Sequence, residues 1–206
     1  MKKHTVVLLV VLAAIVCLCL ILLPRLGTDR PVQTVQGESW DESWEMLGSV
    51  LGVEAPGSGF ALLDNNSILT AQDTYLATWV HGEPIDHVTA DGDDAQIYDA
   101  EIFLLLQGCK DSENAHLAME QWLGLANDSY TVLETTSETR NGQEYTILTY
   151  EVESETNPYS RGVSAFGVYE NYAVNAELAG LDAYTGDMAA ILAAFLDGCH
   201  YADVES

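Results

Sequence analysis

The chain has 206 residues, 32 of them Asp or Glu against seven Lys or Arg, for a formal charge of −25. From residue 31 onward, 31 acids face only Lys110, Arg140 and Arg161, a formal charge of −28. Phosphate recognition needs clustered Lys and Arg, so this balance excludes nucleic acid as a partner and disfavours lying flat on an anionic bilayer. The acids are dispersed among hydrophobic residues that make up 48% of the chain, a composition that supports a folded core rather than disorder.

Residues 1–4 form a short basic start and are read as a cytoplasmic N-terminus. Residues 5–23 follow without a single charge, nineteen positions that span roughly 28 Å as a helix, close to the thickness of a hydrocarbon core. Pro24 and Arg25 end the run. The segment reads as a transmembrane anchor, with Lys2 and Lys3 holding the N-terminus inside and the remainder of the chain outside the cytoplasm. A cleaved signal is the alternative, although such signals carry about 7–15 apolar residues and a small-x-small site, which 22–26 does not offer. A lipoprotein signal needs small residues before its cysteine, and neither Cys17 nor Cys19 has them. Those two cysteines lie in the span, as apolar residues or palmitoylation sites.

Residues 24–38, with Pro24, Gly27, Pro31 and Gly37, read as a flexible tether to a domain covering 39–206. Ser39 and Glu42 make a capping box, and Trp40, Trp44, Leu47 and Leu51 recur on one helical stripe, so a short amphipathic helix is expected before Gly52. Strands are expected at 60–63, 75–80 and, after a turn-rich stretch at 82–94, at 96–106, whose apolar end suits burial on both faces. A helix is expected over 112–126, with Ala115, Ala118, Met119, Trp122, Leu125 and Ala126 on one side and Asn127 as a cap. Asn141-Gly142 marks a hairpin between strands at 130–139 and 144–152. A second hairpin joins 163–168 to 172–178, and a last helix over 185–196 ends at Gly198.

The expected fold is therefore α+β: a twisted, mostly antiparallel sheet of about six or seven strands, packed with two main helices and the short N-terminal one. This order, over about residues 59–202, resembles the PsbP-like family of small extracytoplasmic accessory domains and lipoproteins. The resemblance rests on the early hairpin, the long strand entering the 112–126 helix, the hairpin at Asn141-Gly142, the hairpin over 163–178 and the closing helix. It implies a non-enzymatic domain that assists a larger assembly, and it brings no catalytic residues with it.

Motifs for chemistry are weak. Gly162-Val163-Ser164-Ala165-Phe166 lacks the last glycine of a nucleophile elbow and falls in a strand. Cys199-His200 are neighbours whose side chains point apart at a helix end. Asp91, Asp93, Asp94, Asp99 and Glu101 invite a calcium reading, but the glycine spacing is not that of an EF-hand. His81, Asp86 and His87 fit no zinc spacing. No catalytic residue, cofactor or metal site is assigned. In an oxidising compartment Cys109 and Cys199 can form a disulfide, worth on the order of 4–5 kcal/mol for a loop of about 90 residues; two independent buried thiols are the alternative.

The expected function is a membrane-anchored, non-enzymatic extracytoplasmic binding or accessory protein of unknown ligand, with a protein, a peptide or a cationic ligand as the candidates; an acidic surface that only resists aggregation is the alternative reading of the charge. Trp40 and Trp44, with Tyr169 and Tyr172 taken as exposed, are the expected partner surface. An extracytoplasmic hydrolase with an unrecognised site and a calcium-dependent adhesion domain are the competing readings.

Overall fold

The computed structural model describes residues 30–34, 51–53, 57, 59–63, 74–89, 92–153 and 157–201. The expected span at 5–23 and the tryptophans Trp40 and Trp44 lie outside them, while Leu51, expected at the end of a helix, opens a strand. In chain order the elements are β1 (Leu51–Val53), β2 (Phe60–Leu62), β3 (Thr74–His81), β4 (Ile85–Val88), β5 (Asp94–Ile97) and β6 (Ala100–Gly108). They continue as α1 (Ser112–Ser129), β7 (Thr131–Arg140), β8 (Gln143–Glu151), β9 (Arg161–Tyr169), β10 (Tyr172–Gly180), α2 (Met188–Asp197) and β11 (Cys199–Tyr201).

Seven strands form one antiparallel sheet in the order β2-β3-β6-β10-β9-β8-β7. Successive side chains in a strand point to opposite faces, and the middle of the sheet is apolar on both. Ile102, Leu104 and Leu106 of β6, with Val174, Ala176 and Leu178 of β10, pack under Leu192, Phe195 and Leu196 of α2. Leu105 and Ala173 face the other way, onto Ala115, Ala118, Trp122 and Ala126 of α1. The alanines let the helix approach the sheet closely, and Trp122 fills the remaining depth. Leu123 packs on this cluster, whereas Leu125, which the helical stripe predicted, does not.

The helix ends follow from their side chains. Asp111 caps α1, its Oδ1 accepting from the Asn114 N–H at 2.9 Å, and Asp187 caps α2 through the Ala190 N–H at 3.1 Å. This cap sets the start of α2 at Met188 rather than 185. Asn127 does not end α1; its amide donates back to the Leu123 carbonyl at 2.8 Å, and the helix continues to Ser129. Gly198 is the C-cap of α2, as its position predicted.

The stretch read as turns at 82–94 contains β4, which forms a separate hairpin with β5 at 94–97, across the start of the expected strand 96–106. Its Ile-Asp-His-Val strand is largely exposed, so it carries no alternation to reveal it. The expected strand 96–106 is broken at 98–99, where the Asp99 N–H bonds the His81 carbonyl and the Asp99 carbonyl accepts from Leu181. Residues 30–34, within the stretch read as a tether, lie against the start of α1. There Val32 packs on the α1 cluster, and the Gln33 N–H donates to Asn114 Oδ1 at 2.9 Å.

Two tyrosines lie across glycines on the neighbouring strand, one on each face of the sheet. Tyr150 pairs with Gly162 and Tyr145 with Gly167. A Cβ at Gly162 would collide with the Tyr150 hydroxyl and stand 2.8 Å from the Leu178 carbonyl. Backbone and a fully buried ring cannot both yield, so Gly162→Ala is expected to destabilise the fold by about 2 kcal/mol through overpacking. Thermal unfolding followed by circular dichroism checks this, with Gly124→Ala inside α1 as the contrast: its Cβ meets nothing within 4 Å, and replacing a helix-interior glycine is expected to stabilise by about 0.5–1 kcal/mol.

Candidate functional site

An open cleft of about 410 Å³ is lined by His81, Asp99, Ala183, Tyr184, Thr185, Gly186 and Ile191. It lies where β3 ends, β6 begins and the loop after β10 turns into α2. His81 Nδ1 faces Asp99 Oδ2 at 3.7 Å, and its ring is held edge-on by Tyr184 at 5.2 Å and tilted against Phe60 at 5.3 Å. Gly82, with φ +88°, lets the chain pass Asp99: a Cβ there would stand 2.5 Å from its carboxylate. His81 Nδ1, Ser160 Oγ and Arg161 Nε are buried without a hydrogen-bond partner, and all three lie at this end of the sheet. The cleft offers one carboxylate, one imidazole and two hydroxyls, a lining suited to a polar or cationic group.

Two carboxylates are built into the α1 face of the sheet. Glu101, 6% exposed on β6, accepts a hydrogen bond from the Tyr159 hydroxyl, which in turn accepts from the Tyr98 N–H at 3.2 Å. Burial pushes the Glu101 carboxyl up from its usual 4.5 to about 7, against the lowering effect of the tyrosine. Glu177 on β10 accepts from Tyr150, from Ser164 at 3.2 Å and from Tyr130 at 3.5 Å, with Tyr130 stacked on Tyr150. Burial raises its carboxyl too, outweighing those three donors. Each carboxylate closes a hydrogen-bonded cluster inside the fold.

The residues singled out from the sequence separate. Of the two readings weighed for the cysteines, the structure is that of two independent buried side chains: Cys109 belongs to the α1 cluster and Cys199 to the α2 cluster, with the sheet between them. Burial pushes the Cys199 thiol up to about 12, so it stays protonated and is no nucleophile. Ser164 is fully buried and occupied by Glu177 and Asn175. Tyr172, expected on the surface, is 9% exposed and part of the α2-side core, while Tyr169 is partly buried and stacked on Tyr201 at 4.4 Å. Among the described residues no three His, Cys, Asp or Glu side chains converge on a metal position. Sequence reading missed Glu177, Tyr159 and the His81–Asp99 pair. Of these, only Glu177 gave a signal, as an acid within a strand that is apolar but for it and Asn175.

No family model matches the chain, and no curated protein matches it. Among solved structures it is similar to the cyanobacterial PsbP (CyanoP) of Synechocystis sp. PCC 6803, at 7% identity and a TM-score of 0.36, over 75% of this chain and 94% of that one. It is similar also to the extracellular domain of PknH from Mycobacterium tuberculosis, at 14% identity and a TM-score of 0.35, over 81% and 97% of the two chains. A third is a protein of unknown function and putative regulator, PA94, from Pseudomonas aeruginosa, at 11% identity and a TM-score of 0.34, over 61% and 85%. No residue role is carried across from any of them.

Because the Glu101 carboxyl is raised from 4.5 to about 7, the folded chain keeps a proton that the unfolded chain releases. Its stabilising contribution is whole below pH 4.5 and is lost as pH rises through 7. Glu101→Gln removes that loss while keeping an acceptor for Tyr159. The variant is expected to exceed the parent in stability by up to about 3 kcal/mol at pH 8, the gap closing below pH 5. Urea unfolding at the two pH values reads it, and an equal gap at both would contradict the assignment.

Proposed function

We propose that this chain is a membrane-anchored, extracytoplasmic, non-enzymatic binding domain whose partner is a cationic protein segment. The observation that carries this reading is the state of its few cations. Arg30 is bonded to Glu113 and Lys110 to Gln33 at 2.9 Å; Arg140 lies between Glu138 and Asp197, and Arg161 donates to the Tyr184 carbonyl. Each described Lys and Arg is thereby engaged within the fold, and the acids that cover the rest of the surface are left uncompensated. A field of one sign speeds the approach of an oppositely charged partner and repels further copies of the chain.

The anchor adds orientation to this reading. Only six residues, 24–29, separate the apolar run from the segment docked on α1, a reach of at most about 20 Å. The end of the sheet with the start of α1 and the β9–β10 turn then faces the bilayer. The opposite end, carrying the His81–Asp99 cleft and the β4–β5 hairpin, faces away and meets partners first.

A hydrolase is the second reading, and the His81–Asp99 pair is what favours it, since a carboxylate beside an imidazole is half of a general-base arrangement. The two readings separate in one experiment on the full chain isolated from membranes in mild detergent. Binding predicts a stoichiometric partner retained at about 0.05 M salt and released by about 0.5 M, where screening shortens to roughly 4 Å, and retention unaffected by His81→Ala. Retention that ignores salt, or no partner at low salt, would count against the proposal. Protease added to intact cells is expected to remove the domain and leave the anchored stub.

A further inference from the structure

Hairpin geometry fixes which backbone groups of β7 are free. The turn at Asn141-Gly142 has φ values of 45° and 80°, those of a type I′ turn, and sets Arg140 opposite Gln143. In such a hairpin the residues flanking the turn exchange both backbone hydrogen bonds, and the pairs alternate from there. Arg140, Glu138, Thr136 and Glu134 thus bond to β8, while Thr139, Ser137 and Thr135 aim their N–H and C=O groups outward. β7 is the last strand of the sheet, and no described residue bonds those outward groups.

Long edges in natural proteins are usually blunted by Lys, Pro, a bulge or a covering element. β7 contains no Lys and no Pro, and its bulge, at Val132/Glu134, leaves 134–140 regular. Leu133, extruded by that bulge, is 57% exposed. The other edge strand of the sheet, β2, has three residues against ten in β7.

Charge selects the occupant. Glu134 and Glu138 lie opposite Thr149 and Tyr145 on one face of the sheet, four residues apart. The strand's one cation, Arg140, is already held by Glu138 and Asp197. A second copy pairing antiparallel about Thr136 would set Glu134 of each copy against Glu138 of the other, and like charges directly opposite are destabilising. From these features we infer that the free edge of β7 receives an extended basic segment of a partner protein by strand addition. Such a segment pairs with the outward groups of Thr135, Ser137 and Thr139 and presents two Lys or Arg residues, four apart, to Glu134 and Glu138. This inference rests on the binding reading above and gives it an address.

The test uses the full chain in detergent micelles and a capped heptapeptide, Thr-Lys-Val-Thr-Val-Lys-Thr, at low salt. Saturating peptide is expected to slow amide exchange of Thr135, Ser137 and Thr139 by about tenfold or more, leaving the already bonded Thr136 and Glu138 unchanged. Ser137→Pro removes the central outward donor and spares the β8 ladder, so affinity is expected to fall about tenfold with the fold intact. Glu134→Lys supplies an independent arm: it weakens the lysine peptide and favours the same peptide with Glu in place of Lys. Peptide binding that leaves the three amides unprotected overturns the edge assignment and leaves the binding reading standing. Failure of the peptide to bind while the native partner is still released by salt does the same. Concentration-dependent protection without peptide, at doubled mass, would make the occupant a second copy and overturn the inference.

Discussion

The pairing of β6 with β10 is the constraint on which the rest of the fold hangs. Their nine residues run in unbroken antiparallel register, from Tyr172 opposite Gly108 to Gly180 opposite Ala100. β10 is the middle strand of seven, so both of its edges are paired, and its two faces lie between the two helices. A strand covered on both faces must be apolar at nearly every position, and that requirement accounts for the Ile-Phe-Leu-Leu-Leu run of β6. The helices cover opposite sides because side chains alternate along both strands, so that Ile102, Leu104 and Leu106 need cover on one face and Leu105 and Ala173 on the other.

Into that apolar slab the α1 face admits Glu101 and Glu177, on adjacent strands. The register places Glu177 opposite Phe103, two residues from Glu101, so the two acids are diagonal neighbours on one face. Burying carboxyls costs free energy unless donors meet them, and Tyr159, Tyr150, Tyr130 and Ser164 supply those donors. Tyr150 serves twice, since its ring covers Gly162 while its hydroxyl reaches Glu177. Both carboxyls are raised by burial, and the surface charge is strongly negative, so both the interior and the surface favour the folded chain as pH falls towards 5.

The same slab sorts the surface by accessibility. Its two ends differ in loop content, with the His81–Asp99 cleft and the β4–β5 hairpin gathered at one end and the docked 30–34 segment at the other. Its two edges differ in length, and among the described residues it is β7 that presents a regular run of outward backbone groups, beside Glu134 and Glu138. The proposed binding role would draw on these asymmetries of the scaffold. The Cys199 thiol and the Ser164 hydroxyl are both spent inside the core.

The α+β class, the hairpin at Asn141-Gly142, the hairpin over 163–178 and both helices were legible in the sequence, because each is written in local signals. Type I′ turn chemistry, period-two alternation and side-chain caps all act within a few residues. Apart from the locally paired β4–β5 hairpin, the features that escaped depend on residues distant along the chain. The break at 98–99 is made by His81 and Leu181, the site of Glu101 by Tyr159, and the separation of Cys109 from Cys199 by a sheet whose strand order no local pattern records. Tyr172 was misread as exposed because a strand end beside a turn looks like surface until α2 is packed over it. By itself, then, the sequence determined the two helices, the hairpins at Asn141-Gly142 and over 163–178, the apolar run of 5–23 and the acid excess of residues 31–206, since composition and short-range geometry suffice for those. Only the tertiary structure decided which acids are buried, which cysteines can meet and which strand edge stays open, because pairing order across the sheet sets all three.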